Sequence, residues 1–236
     1  ICKSAVKSSV EKVLLISSDK AVRPTNIMGA SKRVSEMILQ AFNHEATKKN
    51  MPILFSMVRF GNVLNSSGSV IPLFEKQIEK GGPLTVTHPE ITRYFMTIKE
   101  ASELVLQSTS LAEGGEVFLL DMGSPVLILD LAKQIINLKG HFLKDKDNPN
   151  GDIEIVFSGL RPGEKLYEEL LVDANAELTE HPLIYKANEK FLDYSELMQQ
   201  INQLELALKE QNFKKINKII YRLVPEMQIS KSEVNY

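Results

Sequence analysis

A chain of 236 residues and 26.5 kDa is long enough to bury its own core, as one large domain or two small ones, without disulfide or metal staples. Its 28 basic and 30 acidic side chains leave a net charge of −2, so no imbalance points to nucleic acid or an anionic membrane as a partner. The single cysteine, Cys2, excludes an intrachain disulfide and a Cys-rich zinc site, and His44, His88, His141 and His181 lack ligand spacing, so no metal is expected.

Ile1, Ala5, Val6 and Val10 are spaced like the end of an amphipathic helix, and Val13-Leu14-Leu15-Ile16 follows as a strand of the kind buried in parallel sheets. A helix feeding such a strand is half of a βαβ unit, so its partner strand is expected upstream and the chain is expected to be part of a longer one. No apolar run approaches the roughly 18 residues of a membrane span, and no signal peptide opens the sequence. Ser17 to Asn26 reads as a polar loop carrying Pro24. From Ile27 a stripe of Met28, Val34, Met37, Ile38, Ala41 and Phe42 predicts a helix to about Lys49.

Ile53 to Val63 predicts a second buried strand. The turn Asn65 to Gly68 leads into a short helix, Val70 to Lys80, which Gly81-Gly82-Pro83 ends. Leu84 to Thr87 is a short strand. Thr97 and Glu100 form a capping box for a helix reaching Leu111. Val117 to Leu120 is a strand, Leu127 to Leu138 a helix, Lys144 to Asp152 a surface loop and Ile153 to Phe157 a strand. Asn188 to Arg222 carries a Leu/Ile stripe in a polar background, for one or two peripheral helices. This alternation predicts an α/β domain with a parallel sheet.

Open α/β sheets place their sites at the carboxyl ends of the strands. The loop Ser17-Ser18-Asp19-Lys20 is therefore the first candidate, since neighbouring acid and base groups could serve opposite steps of a proton shuttle. Those residues alone would by default make a solvated turn. Their surroundings are more informative. Ser18-Asp19-Lys20, with Arg23-Pro24-Thr25-Asn26-Ile27-Met28-Gly29-Ala30-Ser31-Lys32, resembles the extended short-chain dehydrogenase/reductase superfamily. More narrowly it resembles the nucleotide-sugar 4,6-dehydratases of polysaccharide biosynthesis, in particular the UDP-N-acetylglucosamine 4,6-dehydratase group. Further matching blocks are Arg59-Phe60-Gly61-Asn62-Val63, Ser67-Gly68-Ser69-Val70-Ile71-Pro72-Leu73-Phe74, Thr92-Arg93-Tyr94-Phe95-Met96 and Leu160-Arg161-Pro162-Gly163-Glu164-Lys165. Together they span Val13 to Tyr167, roughly two thirds of the chain.

The resemblance implies an α/β fold with a Rossmann-like parallel sheet, incomplete because its N-terminal βαβ units are absent, and a smaller α/β substrate-binding part. Residues 1–63 would be the C-terminal portion of the dinucleotide-binding domain. Residues 64–187 would be mostly the substrate-binding part, with segments returning to the core, and 188–236 the peripheral helices. Met28 and Lys32 take the positions of the superfamily's Tyr-x-x-x-Lys pair, one helical turn apart and facing the cofactor. Lys32 would bind the nicotinamide ribose, with Ser17 and Val63 as further cofactor contacts. Met28 departs from the pattern, because a thioether is neither acid nor base. None of the six tyrosines has Lys four residues later, and long-form members of this dehydratase group also carry Met here.

The implied reaction moves a hydride from C4 of the sugar to the cofactor, eliminates water across C5–C6, and returns the hydride to C6. Lys20 would be the base at C5, Asp19 the acid at the C6 hydroxyl, and Ser18 the partner of the 4-hydroxyl. Asp19 and Lys20 both remain candidates for deprotonating that hydroxyl. Asn62 matches the family's diphosphate contact, Arg161 its phosphate- or ribose-binding Arg, and Glu164 a ribose contact. Val70 to Phe74 would wall the base site, and Arg93 is either a substrate contact or a structural salt bridge. The twelve glycines never form Gly-x-Gly-x-x-Gly, so the cofactor's diphosphate turn and the residue that separates NAD from NADP lie elsewhere. The resemblance thus implies NAD or NADP, a UDP-sugar substrate, a homo-oligomer, and a cytoplasmic location. Membrane attachment would come only through segments outside this chain, and this part alone would be inactive. The alternatives are a 4-epimerase or reductase of the same superfamily, against which Met28 and Lys20 both speak, and a non-catalytic nucleotide-sugar-binding protein.

Overall fold

A computed structural model describes residues 1–66, 68–169 and 176–228, so Ser67 and the last residues of the expected C-terminal segment lie outside it. In chain order the elements are α1 (Cys2–Val6), β1 (Lys12–Ile16), a 3-10 turn (Asp19–Ala21), α2 (Ile27–Lys48), β2 (Leu54–Arg59) and β3 (Asn62–Val63). Next come α3 (Val70–Glu79), β4 (Leu84–Val86), β5 (Thr92–Arg93), β6 (Phe95–Met96), α4 (Ile98–Leu111), β7 (Val117–Leu120) and β8 (Val126–Leu127). The remainder is α5 (Ile128–Leu138), β9 (Leu143–Lys144), β10 (Ile153–Phe157), β11 (Glu177–Leu178), β12 (Ile184–Ala187), α6 (Tyr194–Lys209) and α7 (Phe213–Leu223). They gather into two compact units. One contains Ile1–Phe60, Glu103–Asp121 and the described residues from Glu169 on; the other contains the described residues of Gly61–Ser102 and Met122–Glu168.

The first unit is built on a five-stranded sheet in the order β1-β2-β7-β12-β11. β1, β2 and β7 are parallel, with Ile16 opposite Val58 and Arg59 opposite Leu119, whereas β12 and β11 run antiparallel. Phe55, Met57 and Val58 of β2 and all four residues of β7 are buried, as expected of strands covered on both faces. β1 forms where the Val-Leu-Leu-Ile run predicts a strand. Among the described residues it pairs with β2, and Val13, Leu14 and Leu15 at its centre are less exposed than its ends.

α2 begins where the Asn26 side chain accepts the Gly29 N–H at 2.9 Å. Leu39, Phe42 and Ala46 on one flank pack against Phe55, Met57, Val117 and Leu119 of the sheet. Ala30, Val34, Met37 and Ala41 on another meet Leu197, Ile216, Ile220 and Leu223 of α6 and α7. Full burial of each such large side chain contributes about 1.5–3 kcal/mol, so the helical pair is tied firmly to α2. The Gln228 N–H adds a 2.9 Å bond to the Pro24 carbonyl, in the loop ahead of α2.

A buried charge cluster joins α2 to the sheet. Arg59, the last residue of β2, has no solvent exposure, and neither has Glu36 of α2. The guanidinium donates from Nε to Glu36 Oε1 at 2.7 Å and from Nη2 to Glu36 Oε2 at 2.5 Å. It also forks onto Glu189 at 2.6 and 2.7 Å. Arg33 adds a second cation, 3.3 Å from Glu36, 3.1 Å from Glu189 and 3.2 Å from Glu226. Burial works to lower the Arg59 pKa, but the hydrogen bonds and charges of Glu36 and Glu189 outweigh it and hold it above the ordinary arginine value.

In the second unit α3 and α5 cover a parallel sheet ordered β4-β10-β9. Phe74, Ile78, Leu84, Ile128, Ile135, Ile136 and Ile153 form its core. α4 starts on the expected capping box: Thr97 Oγ1 accepts the Glu100 N–H at 3.1 Å, and Glu100 accepts the Thr97 N–H at 2.8 Å. The single strand expected over Ile53 to Val63 is broken. Gly61 lies so close to Tyr94 that an added Cβ would stand 3.2 Å from the Tyr94 Cβ, and Asn62 and Val63 pair with Phe95 and Met96 as β3 with β6.

Two stability outcomes follow. Arg59→Met removes the guanidinium from between two buried carboxylates, Glu36 and Glu189, and should cost about 3–5 kcal/mol in urea unfolding, whereas a dispensable pair would cost under about 1 kcal/mol. Gly29→Ala should lower the thermal midpoint even though helix propensity favours alanine by about 1 kcal/mol. The added Cβ would overlap the Lys20 carbonyl oxygen and stand 2.9 Å from the Pro24 Cβ.

Candidate active site

The loop after β1 is held at both strand ends. The Ser17 N–H donates to the Val58 carbonyl at 2.8 Å, and the Asp19 N–H to the Phe60 carbonyl at 3.3 Å. The buried Ser17 hydroxyl donates to Glu36 Oε1 at 2.6 Å. Ser18, in extended conformation, caps the 3-10 turn by accepting the Lys20 N–H at 3.3 Å. Its own hydroxyl donates to Asp19 Oδ1 at 2.6 Å.

The same Asp19 Oδ1 accepts the Lys20 ammonium at 3.0 Å. Asp19 is 1% exposed, while the Lys20 side chain keeps 40% of its surface. Asp19 Oδ2 is buried and has no hydrogen-bond partner among the described residues. Leaving a buried acceptor unpaired costs about 1–3 kcal/mol, so such an atom calls for an explanation. A carboxylate with one satisfied oxygen and one orphan, touching an amine that reaches solvent, is equipped to exchange protons with a ligand.

Met28 and Lys32 sit one turn apart at the start of α2, and both are exposed, Met28 at 50%. Gly29 lets the same helical turn press directly against the Lys20 backbone. An exposed ammonium on this helix suits the ribose end of a nicotinamide cofactor. Its diphosphate would need the Gly-rich turn that these 236 residues lack.

The other expected residues lie in the second unit. Asn62 Nδ2 donates to the Tyr94 carbonyl at 3.2 Å and to Glu168 Oε2 at 3.1 Å. Arg93 is paired with Glu164 at 3.3 Å and Glu168 at 3.2 Å, its side chain 14% exposed, so it is a structural salt bridge here. Glu164 accepts the Arg161 N–H at 3.0 Å and the Thr87 hydroxyl at 3.2 Å, closing a turn in which Gly163 takes φ +70°. Within that turn Arg161 itself is exposed. Val63 pairs with Met96, and Val70 opens α3, packed on the unit's core. Phe74, expected in the wall of a base site, lies fully inside that core, one helical turn from Val70.

Glu36, Arg59, Glu189 and Glu168 were not singled out by sequence. A signal existed for one of them: Arg33, Glu36 and Gln40 follow helical spacing on a flank otherwise apolar, where isolated charge would be costly. Among the described residues no His, Cys, Asp or Glu cluster could hold a metal, and no helix is long and apolar enough to cross a membrane.

Comparison with known proteins gives the family. The sequence profile of a family described as polysaccharide biosynthesis protein matches residues 1–189. The capsular polysaccharide biosynthesis protein CapD of Staphylococcus aureus is 60% identical over 171 residues, which are 72% of this chain and 27% of that protein. The chain therefore spans about a quarter of that relative's length. The structure of Pen from Bacillus thuringiensis superposes with a TM-score of 0.69 at 35% identity, covering 82% of this chain and 58% of that one. DesIV of Streptomyces venezuelae, a dTDP-glucose 4,6-dehydratase solved with NAD and TYD bound, shares the fold at a TM-score of 0.58 and 18% identity, over 72% and 54% of the two chains. With four-fifths of its length inside the matched profile, the chain belongs to the polysaccharide biosynthesis protein family, and its parallel strands are of the Rossmann-like kind.

Proposed function

We propose that the chain carries the acid–base site of a nucleotide-sugar 4,6-dehydratase, acting on UDP-N-acetylglucosamine in the cytoplasm for surface polysaccharide synthesis. The observation that carries this reading is the Asp19–Lys20 contact of 3.0 Å beside the unpartnered Asp19 Oδ2. A nicotinamide cofactor, NAD or NADP, held at its ribose by Lys32, would supply the reversible oxidation at C4 that acidifies the C5 proton.

The chain's own residues would do the rest. A proton moved from the Lys20 ammonium to Asp19 turns the ion pair into free amine and carboxylic acid, the forms that elimination needs. The amine takes the C5 proton, the C5–C6 double bond forms, and the C6 hydroxyl leaves as water with the proton of Asp19. Lys20 is then ammonium and Asp19 carboxylate, so elimination regenerates the observed pair. The Ser18 hydroxyl, poised on Asp19 at 2.6 Å, would contact the 4-hydroxyl. Arg161 and Asn62 are proposed for the diphosphate, Glu164 for the ribose.

The direct test is incubation of the complete protein with UDP-N-acetylglucosamine. A 4-keto-6-deoxy product is expected; a 4-epimer of unchanged mass would replace this reading by the epimerase one. Lys20→Ala in the complete protein should lower kcat by about 10²–10⁴-fold while calorimetric UDP-sugar affinity stays close to the parent's, because a C5 base acts mainly in the transition state. Met28→Tyr should raise the dehydration rate by less than tenfold, a gain of tenfold being about 1.4 kcal/mol off the barrier. A larger gain, with a new ionisation in the pH–rate profile, would mean that Met28 stands in a damaged Tyr-x-x-x-Lys site.

A further inference from the structure

We infer that Glu36 is a positioning residue: through the Ser17 hydroxyl it fixes the turn that presents Asp19 and Lys20, and Arg59 in turn fixes Glu36. This rests on the reading of Asp19 and Lys20 as the acid–base pair. Glu36 touches neither of them.

The chain of restraints is short and fully buried. Glu36 Oε1 accepts the Ser17 hydroxyl at 2.6 Å and Arg59 Nε at 2.7 Å, while Oε2 accepts Arg59 Nη2 at 2.5 Å and Arg33 Nη1 at 3.3 Å. With both oxygens engaged and no solvent exposure, the carboxylate has one position available to it. Arg59 is fixed in the same way, by β2 and by its fork onto Glu189. Arg33 is also held by the Lys190 carbonyl at 2.7 Å, and Gln40 binds the Glu189 carbonyl at 3.0 Å. The cluster is therefore braced by the segment leading into α6.

Ser17 is the last link. Its neighbour Ser18 supplies both the cap of the turn and a hydrogen bond to Asp19. A hydroxyl bound to a buried, charged acceptor is held more tightly than the same hydroxyl in water. The backbone bonds of Ser17 to Val58 and of Asp19 to Phe60 keep the loop attached without it. Cutting the Ser17–Glu36 link should therefore leave the fold standing and blur the placement of Asp19 and Lys20, where a displacement of about 1 Å can cost on the order of 10²-fold in rate.

The experiment uses the complete protein with Ser17→Ala, Ser17→Thr and Lys20→Ala measured side by side. Ser17→Ala should lower kcat by about tenfold, with KM for the UDP-sugar within about twofold of the parent. Its thermal midpoint should be nearly unchanged, and amide hydrogen exchange should quicken over residues 18–20. Ser17→Thr, which keeps the hydroxyl, should recover most of kcat. If the alanine protein does not fold, Ser17→Cys, with a weaker donor of similar size, is expected to show the same kcat loss at constant KM. Parental kcat in Ser17→Ala (or in Ser17→Cys, where that variant replaces it), or a loss carried wholly by KM, overturns the inference. An inactive Lys20→Ala beside a fully active Ser17→Ala rejects the positioning role alone. An active Lys20→Ala rejects the acid–base reading and the inference with it.

Discussion

Two oppositely charged side chains shielded from water, Arg59 and Glu36, join the carboxyl end of β2, the inner face of α2 and the loop after β1. Either charge alone would be prohibitive at such depth, since an ion moved out of water loses several kcal/mol of hydration even after relaxation. Together with Glu189 and Arg33 the charges balance, and nearly every donor in the cluster meets an acceptor. Such clusters add little net stability compared with a well-packed apolar core, but removing one charged partner costs about 3–5 kcal/mol because the other is left buried and unpaired. Here the cluster constrains the loop leaving β1.

That constraint accounts for the contrast within the site. Everything up to Ser17 is locked: a parallel ladder, a buried hydroxyl and a charged acceptor. Two residues later the structure leaves Asp19 Oδ2 buried without a partner and Lys20 partly open to solvent. Local conflict of this kind is expected where a fold accepts a penalty in order to meet a ligand. By this account the rigid part exists to aim the unsatisfied part. α2 contributes twice, through Glu36 on its buried flank and through Met28 and Lys32 on its exposed one.

The order of strands and helices was legible because it rests on local signals. Apolar runs marked β1, β2, β7 and β10. The Thr97–Glu100 box and the Gly81-Gly82-Pro83 stop marked helix ends, and an apolar stripe marked α2. The loop Ser17–Lys20 could be read as a candidate site for the same reason, since it follows a strand of a parallel sheet. The charge cluster was not: Glu36 lies 23 residues from Arg59, and Glu189 lies 130 residues from it, separations that no periodicity reports. The break before β3 depended on the close approach of Tyr94 to Gly61, and the antiparallel β11 and β12 on pairing with β7. Arg93 reads as a candidate anion contact until its partners Glu164 and Glu168 are seen. Tertiary partnering, which a single sequence does not display, decided each of these.

The measurement that bears most directly on this account is a crystal structure of the complete protein with a nicotinamide cofactor and the proposed UDP-sugar bound. The account predicts that the C5–C6 edge of the sugar lies against the turn, with Lys20 Nζ and an Asp19 carboxylate oxygen within about 3.2 Å of the groups they would deprotonate and protonate. Ser17 should remain on Glu36 in that complex. A sugar ring seated away from Asp19 and Lys20, with another acid–base pair at C5 and C6, would contradict it.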